Sequence, residues 1–201
     1  MLFATAVAIF MIAITEQNVT GESTSLTSSS NNSTDSKSGN IIISSFGTET
    51  KEKEEKEKKN IQTVMQLKDA INTGDVSRAH EFISEQYFNH ESQIDPVRSK
   101  LRGPEEFIDT VRNLRNAFDN LHHEVQETIA AGDKVAQIVT VTGKHTGNFF
   151  VIPPTGNNIS YQAVHVYRIG EDGKVVEHRP IRDDLTFMNQ LGCSRSKVCR
   201  I

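Results

Sequence analysis

The residues best equipped for chemistry crowd into one stretch near the end of the 201-residue chain, Glu177 to Asp184, EHRPIRDD. A carboxylate can take and return a proton, and a guanidinium can hold an anion or an enolate-like group. The stretch is therefore either a charged surface turn or one wall of a pocket. Strict two-residue alternation places Val175, Glu177, Arg179, Ile181 and Asp183 on one strand face, and Val176, His178, Pro180 and Arg182 on the other. Asp183 then shares its face with two apolar residues, while Asp184 points away or opens a helix, where its charge suits the N-terminus. This reading turns Glu177, Arg179 and Asp183 inward and leaves His178 and Arg182 outside. The alternative is an ordinary strand-end carboxylate paired with Arg179 or Arg182.

Histidines supply the other candidates. Asn89 and His90 lie in YFNHE, His145 in GKHTG, and His165 alternates with Tyr161, Ala163 and Tyr167 on a face that reads as buried. Each is as readily a hydrogen-bonded structural group as a functional one. His122 and His123 are neighbours on a strand and face opposite sides. No histidine pair has helical i,i+4 spacing and no H-E-x-x-H occurs, so no metal is expected.

The elements that must position these groups are legible in the hydrophobic pattern. Ile61, Val64, Met65, Leu67 and Ile71 mark one face of a helix that ends at Gly74 and Asp75. VSRAHEFIS reads as a second, short helix. GPEEFIDTVRNLRNAF reads as a third, with Pro104 in the first turn, Glu105 and Glu106 complementing the dipole, and Phe107, Val111, Leu114 and Phe118 as its stripe. The period then drops to two in HHEVQETIAAGD, KVAQIVTVTGKHTG, ISYQAVHVYRI and VVEHRPIRD, separated by GD, PPTGNN and GEDGK. Phe149, Phe150, Ile152 and Pro153 beside PPTG read as a rim or lid, or as an apolar loop over the sheet edge. Leu185, Phe187, Met188 and Leu191 suit a closing helical turn. Helices followed by long antiparallel strands make an α+β layout, with helices over one face of a curved sheet.

Upstream, residues 1–14 are almost wholly apolar, too short for a confident span and similar to the core of an export signal or an uncleaved anchor. Residues 15–50 are rich in Ser, Thr and Asn and read as a tether, interrupted by the β-prone IIISSF at residues 41–46. Asn18, Asn31, Asn32 and Asn158 stand in glycosylation sequons. Residues 51–59, KEKEEKEKK, read as a solvated helical lead-in. The expected location is extracytoplasmic, with a cytoplasmic chain as the alternative. In an oxidising compartment Cys193 and Cys199, in the tail 193–201, would close a small disulfide loop. A net charge of −4 with mixed signs offers no basic face for nucleic acid.

The order FNHE, GPEEF, LRNAFDNLHHEV, AAGDKVAQIVTVTGKHTGNF, IPPTGNNI, HVYRIGEDGKVVEH and DDLTFMNQLG resembles the SnoaL-like polyketide cyclase, or ester cyclase, family of the nuclear transport factor 2-like superfamily. The resemblance spans residues 60–192. It implies a curved antiparallel sheet and about three helices forming a cone, and a cofactor-independent intramolecular aldol closure on a small apolar carbonyl compound. It matches Asp183 to the family's general acid/base, His145 to a strand histidine near the pocket, and His90, assisted by Asn89, to a polar group at the mouth. Glu177, Arg179 and His165 complete the expected substrate-binding set. Arg179 departs from the aromatic residue that members commonly carry after EH, and a guanidinium there would favour the ionised form of Asp183. The superfamily's habit of pairing outer sheet faces implies a homodimer. A non-catalytic exported domain of the same fold, binding a small molecule, is the competing function.

Overall fold

The computed structural model describes residues 38–95 and 98–193. The expected export segment, most of the tether with its sequons at Asn18, Asn31 and Asn32, and Cys199 lie outside these residues. Among the described residues no helix is long and apolar enough to cross a membrane.

Helix α1 (Ser38–Thr73) runs unbroken through IIISSF and the charged lead-in, so residues 41–46 are helical rather than a strand. It ends where Gly74, at φ 79°, returns its N–H to the Ala70 carbonyl at 2.9 Å, a left-handed stop that glycine enters without strain. Its last turns bury Val64, Leu67, Ala70 and Ile71, but Met65 is 45% exposed, and the stripe contains a fully buried Lys68 instead.

The expected second helix is only one turn, α2 (Ala79–Phe82). The chain then straightens into β1 (Ile83–Asn89), a strand absent from the sequence reading. Two short 3-10 turns lead to α3 (Gly103–Ala117), which buries Phe107, Ile108 and Val111. Glu106 is also buried there, so it is not a solvated complement to the helix dipole.

Four strands follow: β2 (Phe118–Ala131), β3 (Lys134–His145), β4 (Asn158–Ile169) and β5 (Val175–Arg182), and α4 (Asp184–Gln190) closes the unit. The sheet order is β1-β5-β4-β3-β2. Strands β2 to β5 pair antiparallel as expected, but β1 pairs with β5 in parallel, so the sheet is mixed.

Two bulges reset the side-chain faces. In β2 the register shifts between Val125 and Glu127, after which Ile129 points to solvent at 53% exposure. In β5 Glu177 pairs with Arg168 but Val175 pairs with Ile169. The extra residue lets Val175 and His178, three positions apart, both face the core, and it reverses the alternation for the rest of the strand.

Candidate functional site

The reversal in β5 decides which side chains reach the space between helices and sheet. His165 pairs with Pro180 and Tyr167 with His178, and directly paired residues share a face. The inner set is therefore His178, Pro180 and Arg182, and all three line a cavity between helices and sheet with His123, His165 and Tyr167. Apolar groups from α1, α3 and β2, among them Leu67, Phe107 and Leu121, complete its wall. The free volume is about 50 Å³, room for a few waters.

Glu177 and Arg179 consequently sit on the outer face. There Glu177 accepts from His90 (2.7 Å), Arg168 (2.9 Å) and Arg179 (3.4 Å). The Arg168 and His90 hydrogen bonds hold its carboxyl down at about 2. The His90–Glu177–Arg179 group expected at the substrate is thus a surface ion cluster. Asp183 is not in the cavity either. Its carboxylate, exposed to solvent, accepts the Thr186 N–H at 3.0 Å and caps α4. That hydrogen bond holds its pKa below the usual carboxylate value. Arg179 does not touch it. Asn caps a helix as well as Asp does, so Asp183→Asn is expected to leave both turnover and melting temperature unchanged; steady-state kinetics and calorimetry check this.

His145 is fully buried behind the cavity wall. Its Nδ1 accepts the Thr155 N–H at 3.3 Å and lies 3.0 Å from the Thr155 hydroxyl, fixing the PPTG loop. Its ring lies 5.2 Å from that of Phe118. Phe149 lines the cavity, with its ring 5.4 Å from that of Phe187, whereas Phe150 points largely to solvent. Of the expected site residues, Asn89 and His165 are the two that reach the cavity.

These two belong to a buried chain of hydrogen bonds whose direction can be worked out. The Glu91 backbone N–H donates to Asn89 Oδ1 at 3.1 Å, and Asn89 Nδ2 donates to Glu106 Oε1 at 3.0 Å, so the amide cannot flip. His178 Nδ1, 3.0 Å from the same Asn89 Oδ1, must then carry a proton and donate it. Burial pushes His178 down to about 3, so at neutral pH its Nε2 is a bare acceptor. The partner at 2.9 Å, His165 Nδ1, must therefore be the donor. Burial likewise holds His165 well below the usual histidine range. Its remaining nitrogen, Nε2, is a lone pair with no hydrogen-bond partner.

Strand β1 makes this relay possible, because its parallel register sets Asn89 beside His178. His178, Glu106 and Lys68 were missed by sequence reasoning. The signal available for the last two was a charged residue interrupting an apolar helical stripe. At the other end of the cavity Arg182 ion-pairs with Glu91 and Asp184, and its guanidinium lies over the Phe187 ring at 5.4 Å. Among the described residues no three His, Cys, Asp or Glu side chains converge as a metal ligand set. The expected Cys193–Cys199 bridge involves a residue outside those described.

The profile of the SnoaL-like polyketide cyclase family matches residues 61–191. The chain is 36% identical over 134 residues to the aklanonic acid methyl ester cyclase DnrD of Streptomyces peucetius, covering 66% of this chain and 90% of that one. It is 30% identical over 124 residues to the nogalonic acid methyl ester cyclase of Streptomyces nogalater, covering 61% and 90%. Among solved structures, TsrD from Streptomyces laurentii superposes with a TM-score of 0.59 at 23% identity, covering 67% of this chain and 96% of that one, and shares the fold. With its α+β architecture and this match over most of the described residues, the chain belongs to the SnoaL-like polyketide cyclase family.

Proposed function

We propose that this protein closes a carbon ring in a small polyketide ester by an intramolecular aldol reaction, with His165 as the base. The observation that carries the reading is the bare, unpartnered Nε2 of His165 in the cavity wall, its tautomer set through His178 and Asn89. A carbon between two carbonyls is acidic enough for an imidazole to take its proton. Nε2 takes that proton, the enolate carbon bonds to a second carbonyl carbon of the same molecule, and the π pair moves onto that oxygen, which must then be protonated. Asn89, Glu106 and His178 keep the lone pair in place, and the walls exclude water from the enolate. The substrate class follows from the cyclases this chain resembles, which are named for methyl esters of polyketide acids.

A free volume of about 50 Å³ is too small for such a molecule. Its entry requires lining groups to yield, and the partly exposed Phe149 and Arg182–Glu91 pair stand where movement is least hindered. The test is incubation of the full chain with aklanonic acid methyl ester in heavy water. Ring closure is an isomerisation, so the expected product has the substrate's atoms plus deuterium from solvent, separable by chromatography with mass detection. The absence of both a new isomer and α-proton exchange above the uncatalysed rate would count decisively against the proposal.

A further inference from the structure

Ring closure leaves an alkoxide that needs a proton, and His123 in the cavity wall, backed by Lys68 behind it, is placed to supply one. Lys68 is 2% exposed, and its Nζ lies 3.3 Å from His123 Nδ1 and 5.6 Å from the centre of the Tyr167 ring. One helical turn later on the same face, Asn72 clamps the backbone of His123, accepting its N–H at 2.7 Å and donating to its carbonyl at 3.1 Å. Helix α1 thereby fixes both the backbone and the ring of His123. The ring stands 5.6 Å from that of His165, centre to centre, and both line the cavity.

We infer that Lys68 is the positioning residue of an acid arm: its ammonium donates to His123 Nδ1 and so keeps the His123 proton on Nε2, in the same cavity as the bare Nε2 of His165. The inference rests on the reading of His165 as the base. The protons balance. As the alkoxide forms, His123 Nε2–H passes its proton to that oxygen, and Nδ1 takes one from the Lys68 ammonium, which becomes a neutral amine. His165 has gained the α-proton and Lys68 has lost one, so the net charge of the site is unchanged. His165 Nε2–H then passes its proton to the bare Nε2 of His123 while His123 Nδ1–H returns one to Lys68, which resets both arms.

The electrostatics suit a donor. Burial lowers Lys68 to about 7, opposed by the charge of Glu91. The groups facing it are His123 from β2 and Tyr167 from β4, with His165 and His178 beyond them. A lysine lowered in this way is charged below about pH 7 and neutral above it, so the acid arm is present on the acidic side and lost on the alkaline side.

The test is Lys68→Met in the full chain, a swap of similar length that removes a buried charge and so preserves the fold. Nitrogen NMR of isotope-labelled histidine, without substrate, reads which His123 nitrogen bears the proton. The expected result is Nε2–H in the parent and loss of that preference in the variant. With aklanonic acid methyl ester, kcat is expected to fall roughly 100-fold with KM within about twofold, and the decline above pH 7 should vanish from the profile. An unchanged His123 tautomer, or an unchanged kcat with the alkaline decline intact, overturns the inference. Full turnover in His165→Gln instead overturns the base, while the His123 tautomer still decides the lysine arm.

Discussion

His165→Gln is expected to lower kcat by roughly 10² to 10⁴, the usual worth of a positioned general base. The substitution keeps a polar side chain of similar reach beside His178 Nε2 but carries no lone pair able to accept a carbon-bound proton. Binding should survive, because the cavity's size depends on Tyr167, Phe107 and their neighbours rather than on this nitrogen. The measurement is kcat and KM for ring closure, with deuterium exchange at the α-carbon as the direct readout of proton abstraction. Retention of exchange at the parent rate would show that another group removes the proton. Asn89→Leu separates base from relay. It leaves His165 in place but removes the acceptor that orients His178 and one of the hydrogen bonds of buried Glu106, so it combines a loss of rate with a loss of stability.

Gly147→Ala is expected to be the most destabilising single-methyl change in the loop that bears Phe149. A Cβ at Gly147 would lie 2.0 Å from the Asn116 carbonyl oxygen and 3.0 Å from its carbon, both backbone atoms that no rotamer change can relieve. The loop sits this close because Thr146 and Gly147 both donate to the Ala117 carbonyl, at 3.0 and 3.1 Å. The cost should be about 3 kcal/mol or more, a fall in melting temperature of roughly 6–12 °C for a domain of this size. Gly156→Ala is the matched control. It has φ 73° but nothing within 4 Å of an added Cβ, so its cost is limited to about 1–2 kcal/mol of left-handed strain. Equal melting temperatures for the two variants would remove the steric argument. Because the loop carries Phe149 against Phe118 at 5.2 Å, the Gly147 variant should also loosen the cavity wall and raise KM.

The same glycine shows how motif and mechanism part company in a sequence. G-x-H-x-G, Gly143 to Gly147, was legible as a distinctive pattern, and its histidine was expected to meet substrate. In the fold the pattern is structural. Gly143 lets β3 approach Phe118, Gly147 lets the loop touch the end of α3, and His145 ties down Thr155. His165 was legible for a sound reason, since it alternates with Tyr161, Ala163 and Tyr167 on a strand without a bulge in that stretch. Asp183, Arg179 and Glu177 were misplaced for an equally definite reason. One bulged residue near Val175 reverses every face after it, and alternation counted from Val175 cannot sense a bulge.

By itself the sequence determined the α+β class, the four long strands, α3, the end of α1 at Gly74 and the family, because hydrophobic period, turn chemistry and motif order are local properties of the chain. The tertiary structure alone decided that β1 is a strand lying parallel to β5, that His178 faces inward, and that the Lys68 amine meets His123. Those facts depend on pairings such as Lys68 with His123 and Asn89 with His178, 55 and 89 positions apart, on one bulge between β5 and β4, and on which nitrogen of each ring meets a donor or an acceptor. A one-dimensional pattern carries no information about either.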